Sequence, residues 1–103
     1  MSARRRWIAF ATRSSGALHL DEGAMRALLT RGASLLAAGV TKVEGQFESG
    51  EIVELRGPKG EQLGRGVCEV DAAWMARWLA GERPEGARLL VVHRNELVLE
   101  EGG

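Results

Sequence analysis

A chain of 103 residues, 45% hydrophobic and 27% charged, has the make-up of one globular domain and not of a disordered segment. No apolar run approaches the roughly 20 residues of a membrane-spanning helix, and the lone cysteine, Cys68, excludes an internal disulfide and a cysteine zinc cage. Fourteen basic residues balance fourteen acidic ones, which excludes the strongly basic surface of a dedicated nucleic-acid binder and leaves room only for a local basic face.

The chain opens with Arg4, Arg5 and Arg6, followed by Trp7 to Ala11, an apolar piece too short for a signal-peptide core. The expected location is therefore the cytoplasm. Residues 7–11 and 17–20 flank the turn-like cluster Arg13 to Gly16 and read as a strand or extended arm, then a short strand. An arm or linker over 1–12, a folded domain over 13–100 and a tail over 101–103 are the expected units.

Asp21 suits a helix N-cap, because its carboxylate accepts hydrogen bonds from the free amides of a first turn. Ala24, Met25, Leu28 and Leu29 then make one apolar face, Arg31 suits the negative end of the helix dipole, and Gly32 suits the residue after it. Residues 34–38 predict one further helical turn, ended by Gly39, and Val40 to Glu44 a strand. Residues 45–50 connect around Phe47 to a strand over 51–56, with Val53 and Leu55 on one side. Glu44, Glu48, Glu51 and Glu54 form an acidic run with no base between Lys42 and Arg56.

Gly57-Pro58-Lys59-Gly60 fits a β-turn with proline at its second position and glycine at its fourth. A returning strand over 62–70 would place Leu63, Val67 and Val70 inside. The broken alternation at Gly64-Arg65-Gly66 signals a bulge or a close backbone contact. Asp71 suits the cap of a second helix, with Trp74, Met75, Trp78 and Leu79 on its apolar face and Gly81 at its end. A polar loop over 82–86 leads to a buried strand over 89–92, interrupted by His93-Arg94-Asn95 and resumed at Leu97 to Leu99. Many short strands with two short helices predict a mainly β, α+β fold closed into a small barrel.

Few residues invite chemistry. His19, His93 and Cys68 show no metal-ligand spacing. Cys68 reads as a buried small hydrophobe, Ser14-Ser15 as a loop, and no nucleophile elbow is present. The glycine-rich run from Gly57 to Gly66 lies between two strands and matches neither phosphate-binding spacing, so the hairpin reading is preferred. Trp74 and Trp78 could stack on bases, but their helical spacing beside Met75 and Leu79 favours the core. The basic and polar positions Arg26, Arg31, Ser34, Lys42 and Arg65 are candidate phosphate contacts, and equally a solvated face.

The order of helix, glycine turn, strand and two hairpins around Gly32 to Leu55 resembles the PUA domain, a small RNA-binding pseudo-barrel. The wording is most similar to the C-terminal PUA domain of the glutamate 5-kinase family. Arg4-Arg-Arg-Trp-Ile-Ala9 resembles that family's linker, and Gly16 to Ala24 the entry to its first PUA helix. Ser34-Leu-Leu-Ala-Ala-Gly-Val40 resembles its turn, and Val43-Glu-Gly-Gln-Phe-Glu-Ser-Gly-Glu-Ile-Val53 its central hairpin. Val92-His-Arg-Asn-Glu-Leu-Val-Leu99 resembles its closing run. Phe10 stands where the family tends to have glycine, Glu69-Val70-Asp71 replaces an Asn-Tyr-Ser-like stretch, and the segment from Gly81 to Val92 is short by a helix.

The resemblance implies an accessory domain of a glutamate 5-kinase of proline synthesis, supporting assembly or regulation of an amino-acid kinase domain. This chain itself would hold no cofactor, ATP and Mg being bound by the kinase domain, which the sequence lacks. It would be an excised fragment or a stand-alone relative. The alternatives are a structured-RNA-binding module, using Arg26, Arg31, Ser34, Lys42 and Arg65, or a protein-interaction domain. An independent enzyme is disfavoured, because no polar constellation converges.

Overall fold

A computed structural model describes residues 14–83 and 89–100. The strand or arm expected at 7–11 and the shortened segment after Gly81, at 84–88, lie outside the described residues.

The architecture is a five-stranded mixed sheet with a two-stranded pair and two helices. β1 (Gly16–Leu20) pairs antiparallel with β3 (Val40–Gly45) and parallel with β4 (Ile52–Arg56). β4 pairs with β5 (Gln62–Val67), and β5 with β7 (Leu97–Leu99), both antiparallel. The sheet order is thus β3-β1-β4-β5-β7, while β2 (Leu35–Leu36) pairs separately with β6 (Leu90–Val92). The inward alternation of Leu18 and Leu20 on β1, and of Val53 and Leu55 on β4, supplies the centre of the core. Ile52 and Val67 form a small second cluster on the other face, with the half-buried Val98 against it.

The first helix, α1 (Glu22–Arg31), has the caps that the sequence specifies. The Asp21 carboxylate accepts from the Ala24 amide at 2.7 Å, and Gly32 is left-handed with φ 60°. Its apolar face is narrower than expected. Leu28 is buried, but Leu29, one step further round, is 50% exposed.

The further helical turn expected over 34–38 is corrected. Leu35 and Leu36 are extended because they pair with Val92 and Leu90, and only Ala37–Gly39 turns, as a 3₁₀ segment. Tertiary strand pairing overrides local helix preference here.

The hairpin between β4 and β5 closes with the Gly60 amide donating to the Gly57 carbonyl at 3.0 Å. A register shift makes Leu63 the extra residue, a β-bulge one position before the broken alternation; Gly64-Arg65-Gly66 pair in regular register with β4, and Gly64 makes a close backbone contact with β7. β5 ends at Val67, not at Val70. The Cys68 amide still donates to the Glu51 carbonyl just before β4, whereas the Glu69 amide turns to the Val91 carbonyl, and Val70 is half-buried against the core.

α2 (Ala72–Leu79) is capped by Asp71, whose carboxylate accepts from the Trp74 amide at 2.7 Å, and it packs along β3 with Met75 and Trp78 buried. A 3₁₀ turn, Arg94–Glu96, joins β6 to β7, with His93 Nδ1 accepting from the Asn95 amide at 3.0 Å.

Candidate functional site

Strand register decides where the candidate residues lie. On the face of the sheet that points away from the core, Lys42 of β3 stands opposite His19 of β1, which stands opposite Arg56 of β4. In the next row Glu44, Ala17, Glu54, Arg65 and Val98 follow one another across five strands.

This outer face is an ion-paired ladder. His19 Nε2 and Glu44 Oε2 are 2.5 Å apart. Arg56 donates to the Glu54 carboxylate at 2.7 Å and approaches Glu44 at 3.8 Å. The His19 hydrogen bond, aided by the neighbouring positive charges of His19, Lys42 and Arg56, holds the Glu44 carboxyl below its ordinary value, against a smaller opposing effect of desolvation. Arg56 Nε is buried without a hydrogen-bond partner, the cost of packing that side chain flat between two carboxylates.

Lys42 and Arg65 share this face but are separated by β1 and β4. Three strand spacings alone put them about 14 Å apart across the sheet, one row offset, and Glu44 and Glu54 lie in the Arg65 row.

The other candidates belong to α1 and its exit, on the core side of β1. Arg26 is exposed and pairs with Glu22 at 3.0 Å, an i,i+4 bridge of little energetic weight. Arg31 is exposed at the end of α1, where its charge suits the helix dipole. Ser34 accepts a hydrogen bond on its Oγ from the Arg94 amide at 2.8 Å. It therefore ties the α1 exit to the β6–β7 turn and places the Arg94 backbone beside Ser34, three residues after Arg31. Sequence reasoning misses Arg94, because its partner is 60 residues away and no short-range spacing signals the contact.

The remaining reactive groups are occupied structurally. Cys68 is fully buried, and burial pushes its thiol up to about 11, far from a nucleophile. Among the described residues, no three His, Cys, Asp or Glu side chains are grouped to hold a metal ion. No helix among them is long and apolar enough to cross a membrane. Trp78 is buried as expected for a core residue, whereas Trp74 is half-buried and stacks on it at 5.7 Å between centroids.

The sequence profile of the PUA domain matches residues 16–85, which run from β1 past α2. The chain belongs to the PUA family. This PUA domain is 47% identical over 98 residues to a glutamate 5-kinase of Synechococcus sp. (strain CC9902), covering 95% of the chain and 28% of the relative. It is 46% identical over 101 residues to the glutamate 5-kinase of Mycobacterium avium (strain 104), with the same coverage. The chain thus spans just over a quarter of the length of these curated relatives. Among solved structures, a PUA domain from Aeropyrum pernix K1, crystallised as a tartrate complex, matches with TM-score 0.63 and 32% identity, over 78% of this chain and 43% of that one. An H/ACA RNP bound to a substrate RNA shares the fold, with TM-score 0.55 and 20% identity over 76% of this chain and 23% of that one.

Proposed function

We propose that this PUA domain is the accessory module of a glutamate 5-kinase, without a catalytic site of its own, and that it supports assembly or regulation of an amino-acid kinase domain in proline biosynthesis. The observation that carries the reading is the extent of the kinase match. Identity of 45–47% runs over 95% of the chain, beyond the residues that the PUA profile itself covers, whereas the Aeropyrum pernix domain reaches 32%. In this reading the protein is cytoplasmic, and ATP and Mg are bound by the kinase domain.

The charge pattern supports a protein partner. Net charge is zero, and two carboxylates neutralise the middle of the outer sheet face. The test is a mixture of this chain with the Synechococcus enzyme truncated by its matching segment. The expected result is co-elution on size exclusion and altered glutamate-dependent ATP consumption relative to the truncated enzyme alone. If neither occurs, and a covalent fusion of the two also behaves as the truncated enzyme does, the reading fails.

RNA binding is the second reading, favoured by one observation: the Ser34–Arg94 hydrogen bond docks the β6–β7 turn, which carries Arg94, on the α1 exit that follows Arg31. Arg65 and Lys42 would then contribute from a different face, reaching a second turn of a structured RNA.

A further inference from the structure

α2 carries Trp74 and Trp78 four residues apart, so both indoles leave the same side of the helix. Trp78 is anchored in the core, and Trp74 lies against it with a ring tilt of 14°. The Arg83 guanidinium sits 4.5 Å from the Trp78 ring centroid, a cation–π contact that holds the segment after α2 close to the stack. Beside the stack opens a cleft of about 430 Å³, lined by Trp74, Arg77, Glu82 and Arg83. That volume falls among small-molecule sites, about 300–1,000 Å³.

The chemistry of the lining is specific. An indole held flat by a second, buried indole presents a preformed plane, on which a planar ring stacks without ordering the side chain first. Arg77 and Arg83 line the same cleft, and two guanidinium groups there suit a phosphate, which they can hold through several hydrogen bonds. The pairing that competes is weak. Arg77 and Glu82 are 3.7 Å apart and both are largely exposed, so a phosphate displaces the carboxylate at little cost.

We propose that this cleft binds a nucleoside phosphate, with the base stacked on Trp74 and the phosphate held by Arg77 and Arg83. The site is separate from the α1 exit and from the ladder on the outer sheet face, and it does not rest on the kinase reading. The ligand could be a free mononucleotide or one nucleotide of a single strand of RNA, which offer the same chemistry.

The test titrates the intact chain with AMP and, separately, with a short oligoadenylate, following tryptophan fluorescence and calorimetric heat. Saturable quenching by AMP identifies a mononucleotide site, and saturable quenching by the oligomer alone identifies a strand site. In either case Arg77→Ala and Arg83→Ala should each weaken binding several-fold, and Glu82→Gln should strengthen it. Thermal melts check that the three variants stay folded. The proposal is overturned by no saturable binding of either ligand at millimolar concentration, or by binding that the folded Arg77→Ala and Arg83→Ala variants leave unchanged.

Discussion

At the scale of single residues, Glu44 has the most legible electrostatic role. Its carboxylate is stabilised by His19 and by the nearby positive charges, so its affinity for a proton is lower in the folded chain than in the unfolded one. A carboxyl group depressed on folding stabilises the native state at pH above its ordinary value, 4.5, and loses that contribution as pH falls through the lowered value. Glu44→Gln should therefore lower the melting temperature near pH 6–7, and the penalty should shrink as the pH falls below 4.5 and through the lowered value. A penalty that does not shrink as the pH falls would show that the His19–Glu44 contact is not electrostatic. Two glycines make a contrasting pair. A Cβ on Gly64 would stand 2.1 Å from the Val98 carbonyl oxygen and 2.8 Å from the Leu99 Cα, both in the neighbouring strand, so Gly64→Ala should cost about 3 kcal/mol in chemical denaturation. A Cβ on Gly23, in the first turn of α1, would meet nothing closer than 3.5 Å, and Gly23→Ala should stabilise by about 0.5–1 kcal/mol.

At the scale of elements, what the sequence reveals depends on how far each signal reaches. Asp21, Gly32 and Asp71 act on groups within a few residues of themselves, and both helices begin where those residues place them. The Gly57–Gly60 turn and the bulge in β5 are equally local. Leu35 and Leu36 are different. Their extended form is imposed by Val92 and Leu90, more than fifty positions away, and nothing in Ser34 to Ala38 announces it. The ladder on the outer face was hidden for the same reason. His19 and Glu44 are 25 residues apart, and only the antiparallel register of β1 and β3 makes them neighbours. The acidic run from Glu44 to Glu54, seen in sequence as one block, is divided by the fold. Glu44 and Glu54 join the ladder, while the Glu51 carboxylate accepts from the Glu48 amide in the loop between β3 and β4.

At the scale of the whole molecule, the charged residues are distributed to suit two kinds of surface. The outer sheet face is internally compensated, and the α1 exit is basic. If RNA binds, affinity should fall with salt, because each phosphate contact releases counterions. Arg31→Ala and Arg65→Ala should each reduce the salt slope by about one unit, measured by filter binding to a structured RNA across a salt series. No salt-sensitive binding at micromolar protein would retire RNA as a partner. The position of β1 has a further consequence, which concerns time. β1 stands inside the sheet, yet its parallel partner β4 is made more than thirty residues later, and β5 waits as long for β7. During synthesis Leu18 and Leu20, fully buried in the finished domain, have no complete strand environment until Ile52–Arg56 has left the ribosome. Two of the four pairings in the sheet are this distant and a third, β1 with β3, spans at least twenty residues, which places folding in the slower range of small domains, about milliseconds to seconds. The growing chain must carry an exposed apolar strand through that interval, so its yield in a cell should depend on translation speed and chaperone supply as much as on final stability.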